Sequence, residues 1–149
     1  MRGLPPSSLP GGAGPLVLVV EDNSVNLELV EAVLEREGYQ VVSAASAEEA
    51  LGRLERFHPH LVLLDIQLPG LDGLGLTRLL KANPRTAGIP IVALSAHARQ
   101  EDRQAAIAAG CVDYISKPID TRALPAQLAA ALGSISSPRV GGGWEGGST

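Results

Sequence analysis

Two uninterrupted aliphatic runs, Leu16-Val17-Leu18-Val19-Val20 and Leu61-Val62-Leu63-Leu64, each stop abruptly at acids, Glu21-Asp22 and Asp65. Runs of this kind, without polar alternation, read as strands buried on both faces, the pattern of parallel strands in α/β proteins. Three further strands follow the same logic. Tyr39 to Ala44 holds a short Val41-Val42 core, Ile89 to Leu94 ends at Ser95, and Val112 to Ser116 runs into Lys117-Pro118. Between them lie stripes of helical period. Leu27, Val30 and Leu34, with Leu29 and Val33, follow the cap candidates Asn23 and Ser24 and stop at Gly38. Ser46 with Glu49 is a capping-box signal for a helix through about Phe57, with Ala47, Ala50, Leu51 and Leu54 as its apolar face. Helices are also predicted from Leu74 to Ala82, stopped by Asn83-Pro84, and from Arg99 to Ala108, stopped by Gly110. A last helix, capped by Asp120 or Thr121, runs through about Leu132, and Pro125 in its first turns moves the expected start a few residues later.

Five strands alternating with five helices, joined by short connections, predict one doubly wound α/β domain over residues 16–133: a flavodoxin-like, five-stranded parallel sheet with five helices. The strand order 2-1-3-4-5 is borrowed from known sheets of that type, since the spacing alone leaves the order open. Residues 1–15, rich in Pro, Gly and Ser, are expected to be a disordered leader, and residues 134–149 a disordered Gly/Ser-rich tail with Trp144 as its one anchor. Composition agrees with the α/β reading. The chain has 149 residues, 45% hydrophobic but only 3% aromatic, so its core must come from Leu, Val, Ile and Ala. A net charge of −4 gives no reason to expect nucleic acid or an anionic membrane as partner. One cysteine, Cys111, rules out an internal disulfide, and no apolar leader or span is visible, so the cytoplasm is the expected compartment.

The strand ends matter most for chemistry. They deliver Glu21, Asp22, Asp65, Ser95 and Lys117 to one edge of the sheet, where open α/β sheets bind ligands. With strands one and three adjacent, three carboxylates crowd together and repel unless a cation sits among them. Mg²⁺ suits such a site, because it takes oxygen ligands and keeps positions open for water or phosphate. The serine hydroxyl and the ammonium suit phosphoryl oxygens better than metal. The constellation therefore reads as a site for phosphoryl transfer onto a carboxylate, with Asp65 as nucleophile and Lys117 neutralising charge. Lys117 is one of only two lysines among twelve basic residues.

As a set, the pair Glu21-Asp22, Asp65, Ser95 followed by Ala96, Tyr114 three residues before the lysine, and Lys117-Pro118 resemble the receiver domains of bacterial two-component response regulators. The separations also match, at 30 residues from Asp65 to Ser95 and 22 more to Lys117, and the resemblance covers about residues 15–133. It implies that Asp65 accepts a phosphoryl group from a sensor histidine kinase or a histidine phosphotransfer protein. Glu21, Asp22, Asp65 and the backbone carbonyl of Gln67 would arrange Mg²⁺, or Mn²⁺ in its place. Ser95, Ala96 and Lys117 would bind the phosphoryl group, Ser95 and Tyr114 would move as the switch, and the Lys117-Pro118 bond would be cis. The implied protein is a stand-alone receiver that switches its binding to a downstream protein, with no enzymatic activity beyond its own phosphorylation and dephosphorylation. Glu21 stands where the family more often has Asp, and Ser95 where it has Thr. No output domain is expected after Leu132.

Plainer readings stand beside these. Ser95 alone reads as a helix cap, Tyr114 as edge packing as readily as a switch, and Cys111 as a small core filler. His58, His60 and His97 lack metal-ligand spacing and read as surface or loop residues. Two rival functions use the same edge. A phosphatase of the haloacid-dehalogenase type expects a second Asp where this chain has Gln67, and a relay intermediate would pass the phosphoryl group on to a histidine.

Overall fold

The computed structural model describes residues 14–68, 72–97 and 99–136, with the side chains of 134–136 left undescribed. Its elements alternate strictly: β1 (Leu16–Val20), α1 (Ser24–Arg36), β2 (Gln40–Ala44), α2 (Ala47–Arg56), β3 (Leu61–Asp65), α3 (Gly73–Ala82), β4 (Ile91–Ser95), α4 (Gln100–Ala109), β5 (Asp113–Ser116) and α5 (Leu124–Ser136). All strand pairs are parallel, in the order 2-1-3-4-5, which bears out the expected fold class.

Side chains of one strand alternate between two cores. Leu18, Val20, Val62, Leu64, Ile91 and Ala93 pack against α2, α3 and α4 through Ala47, Ala50, Leu54, Leu76, Leu80 and Ala106. Val17, Val19, Leu61, Leu63, Val92 and Leu94 pack against α1 and α5 through Val30, Leu34, Leu124 and Leu128. Because both faces are covered, every residue of β3 and β4 is buried, which explains their unbroken apolar runs.

Caps fix the helix starts. Asn23 accepts from the Asn26 N–H at 2.9 Å and Ser46 Oγ from the Glu49 N–H at 3.0 Å. The Glu49 carboxylate reaches back to the N–H of Ala45, one residue earlier than a standard capping box. Asp72 caps α3 by accepting from the Gly75 N–H at 2.7 Å, so that helix starts at Gly73, not Leu74.

Several boundaries shift for identifiable reasons. Gly14 and Pro15, expected in the leader, belong to the fold: the Gly14 N–H donates to Gly38 O and the Gln40 N–H to Pro15 O, both at 3.0 Å. Residues 1–13 lie outside the described residues. Asp120 holds the Arg122 and Ala123 N–H groups in a turn, so α5 begins at Leu124, with Pro125 in the first turn where its missing N–H costs nothing. The helix then continues past Leu132, through Gly133, to Ser136. One glycine costs a helix only about 1 kcal/mol, too little to stop it at Gly133. Three residues assigned to the tail are therefore helical, and residues 137–149 lie outside the described residues.

Gly73 is set by close approach, not by a turn. A Cβ there would lie 2.3 Å from Ile66 Cα and 2.7 Å from Asp65 O, both backbone atoms. Gly73→Ala is expected to destabilise the protein by about 1–3 kcal/mol, through forced displacement of α3 from the end of β3. Urea unfolding measures this, and an unchanged midpoint would show that the contact yields freely.

Candidate functional site

The carboxyl ends of β1, β3, β4 and β5 meet at one edge. Glu21 follows β1 directly, and its N–H donates to Ala44 O of β2, so its side chain enters the site with the sheet. Asp65 closes β3 and Ser95 closes β4. The register pairs Asp65 with Leu94, which sets Ser95 one step beyond the acid on the neighbouring strand. Lys117 follows β5, and its N–H donates to Ser95 O at 2.7 Å. The Lys117-Pro118 peptide bond is cis.

Carboxylate oxygens of Glu21, Asp22 and Asp65 all lie within 4.8 Å of one another. Glu21 and Asp65 are buried, at 1% and 2% exposed, while Asp22 faces solvent. Lys117 Nζ sits between the two buried acids, 2.9 Å from Glu21 Oε1 and 3.0 Å from Asp65 Oδ2. The remaining oxygens take backbone donors: Glu21 Oε2 accepts from the Asn23 N–H and Asp65 Oδ1 from the Gln67 N–H. Glu21 Oε1 has the charge of Lys117 nearby but no aligned hydrogen bond.

Burial pushes the Glu21 carboxyl above the usual carboxylate range; Lys117 and the Asn23 N–H pull against that shift, and the Asp65 charge adds to it. For Lys117, burial alone would lower its affinity for a proton. The close ion pairs with Glu21 and Asp65 outweigh burial, and the ammonium is held above its ordinary value. Three clustered carboxylates against one ammonium leave an excess of negative charge, and Glu21 Oε1 is held by the Lys117 ion pair alone. This donor set fits a hard divalent cation.

Beside the acids lies a polar bridge that sequence reasoning missed. The Gln67 side-chain amide donates to Ser95 Oγ at 2.8 Å and its carbonyl accepts from the Ala96 N–H at 3.1 Å. Ser95 Oγ also accepts from the His97 N–H at 3.0 Å. The one signal for this bridge was an amide two residues beyond a strand-end acid.

Tyr114 is 4% exposed and packs in the α2/α3/α4 core. Its hydroxyl donates to His97 O, and the Arg103 guanidinium lies 5.6 Å from its ring centroid. His97 is exposed, so only its backbone joins the site. His58 and His60 precede β3 and lie at the opposite end of the sheet; the His60 ring nitrogen Nδ1 accepts from the Leu16 N–H. Cys111 is buried with a weak Thr77 contact and takes no part.

Comparison with known proteins agrees with this geometry. Residues 17–129 match the family model "Response regulator receiver domain". Over 103 residues the chain is 41% identical to the polar-differentiation response regulator DivK of Brucella ovis, covering 69% of this chain and 84% of the relative. It is also 41% identical over 124 residues to the phosphate regulon transcriptional regulatory protein PhoB of Klebsiella pneumoniae, covering 83% of this chain but 54% of that protein. Among solved structures, the receiver domain of the sensor histidine kinase PA1611 from Pseudomonas aeruginosa superposes with a TM-score of 0.75 at 39% identity, covering 82% of this chain and all of that one; it holds a magnesium ion in its active-site cleft. A response regulator from Chloroflexus aurantiacus gives 0.77 at 34% identity, covering 80% and 98%.

Proposed function

Because the chain belongs to the response regulator receiver-domain family, we propose that it is a phosphorylation-controlled switch whose acceptor is Asp65. The observation that carries this reading is the buried pair of acids bound to one ammonium, with Asp22 and Ser95 beside them.

In this reading an Asp65 carboxylate oxygen attacks the phosphorus of a phosphohistidine on a sensor kinase or phosphotransfer protein. The P–O bond forms as the P–N bond breaks, and the bond pair returns to the imidazole. Glu21, Asp22, Asp65 and the Gln67 backbone carbonyl would hold Mg²⁺, which supplies charge neutralisation when bound. The magnesium in the PA1611 receiver supports that assignment. Lys117 balances charge on the phosphoryl oxygens, and the Ser95 hydroxyl and Ala96 N–H donate to them. Tyr114 and its loop partner His97 follow Ser95, which reshapes the surface around α4 and β5 that meets a downstream protein. We place the protein in the cytoplasm. No helix among the described residues is long and apolar enough to cross a membrane.

The test is intact-mass spectrometry after incubation with a small acyl-phosphate donor. One phosphoryl adduct is expected in Mg²⁺, none after chelation, and recovery with Mg²⁺ or Mn²⁺. No adduct in any condition would overturn the reading.

The Gln67 bridge gives a second expectation. Its carbonyl takes up the Ala96 N–H, one of the donors assigned to the phosphoryl oxygens, and its amide anchors the Ser95 oxygen, so the bridge must loosen before Ala96 and Ser95 can turn to the new ligand. Two neutral hydrogen bonds contribute about 0.5–1.5 kcal/mol each. Gln67→Ala should therefore speed adduct formation roughly tenfold, and a slower variant would mean that the amide assists transfer.

A further inference from the structure

At the end of the sheet opposite the acids lies a cavity of about 460 Å³, within the ~300–1,000 Å³ typical of ligand pockets. Pro59, Ile89, Pro90 and Leu132 give it an apolar lining, and His58 and Arg85 line it as well. The Arg85 guanidinium donates to Leu54 O at 3.0 Å, and no carboxylate pairs with it among the described residues. Such a site suits an aromatic ring with an adjacent negative charge.

Asp113-Tyr114 is held in β5, and beyond the described fold the chain carries one such pair, to which its last helix leads. Leu132 lies one turn before Ser136, where α5 ends, so the chain leaves the fold beside the cavity. Trp144, the single tryptophan, follows eight residues later and is joined directly to Glu145. Eight residues reach about 26–29 Å when extended, more than enough for a cavity so close to the helix end. Gly141 to Gly143 before the pair and Gly146-Gly147 after it let the backbone bend sharply. Burying an indole removes a large apolar area from water.

We propose that the chain's own segment 137–149 docks in this cavity, with the Trp144 ring against the prolines and Leu132 and the Glu145 carboxylate paired with Arg85. This is an intramolecular contact, separate from the phosphoryl chemistry proposed above.

The single tryptophan makes the test direct. In the full chain, Trp144 emission should be blue-shifted relative to a free peptide of residues 137–149, and acrylamide should quench it at least threefold less. Arg85→Glu and Glu145→Arg should each return the emission and quenching towards the peptide values, and the double swap should restore protection. Circular dichroism melts check that the variants are folded, and Glu145→Arg alters no residue of the described fold. Full-chain emission equal to the peptide's would overturn the proposal. So would protection that survives both single variants, or protection that appears only as protein concentration rises, which would place the segment on a second copy.

Discussion

Asparagine in place of Asp65 is expected to abolish the phosphoryl adduct completely while leaving the fold intact. An amide oxygen has no negative charge to attack phosphorus, and no other side chain in the cluster stands in the same relation to both Lys117 and Ser95. Stability should change by less than about 1 kcal/mol. The introduced amide keeps an acceptor for the Gln67 N–H, the Asp65 charge that presses on Glu21 is gone, and Lys117 retains Glu21 as its partner. Intact mass and urea unfolding on the same sample separate chemistry from folding. An adduct at the wild-type level would move the acceptor elsewhere.

The second large effect is on stability. Lys117→Met keeps the aliphatic stem and removes the charge, which leaves two carboxylates, 0% and 4% exposed as side chains, without their cation. Breaking a buried pair in this way typically costs ~3–5 kcal/mol. With Lys117 itself 16% exposed, a loss of about 2–3 kcal/mol at neutral pH is expected. The pH dependence has a definite sign. The folded protein holds the Lys117 proton more tightly than the unfolded chain, so its contribution is complete below about 10.5 and fades as pH rises beyond that value. On the acid side the burial that raises Glu21 lets it take up a proton early, which relieves the variant. The deficit should therefore be greatest near neutrality and narrow in both directions, and added Mg²⁺ should recover part of it. An equal midpoint at pH 7.5 would mean that the two ion pairs contribute nothing.

What the sequence disclosed, and what it did not, follows from the range of each interaction. β1 and β3 were readable because burial on both faces imposes a local, unbroken apolar run, and each run ends at a charge. Glu21, Asp65, Ser95 and Lys117 could be found because parallel strands place their carboxyl ends together whatever their helices do. The Gln67 bridge to Ser95 joins residues 28 positions apart through a side chain with no periodic signature, so no local pattern announces it. Gly73 was similarly hidden. Next to Asp72 it looks like a turn glycine, and only the packed structure reveals backbone within 3 Å of its missing Cβ. Arg103 over Tyr114 depends on α4 folding back along β5, a tertiary fact.

The division of each strand between two cores has a consequence for how such a protein can diverge. Leu18 and Val20 answer to one set of helices, Val17 and Val19 to another, and the backbone of the sheet stands between them. Substitutions on opposite faces share no partners, so their energetic effects should add. A lineage can accumulate repacking under α1 and α5 without retuning α3 and α4. The strand ends answer to a different constraint, because Lys117 ties Glu21, Asp65 and Ser95 to one another, and a change at one of them is felt by the rest.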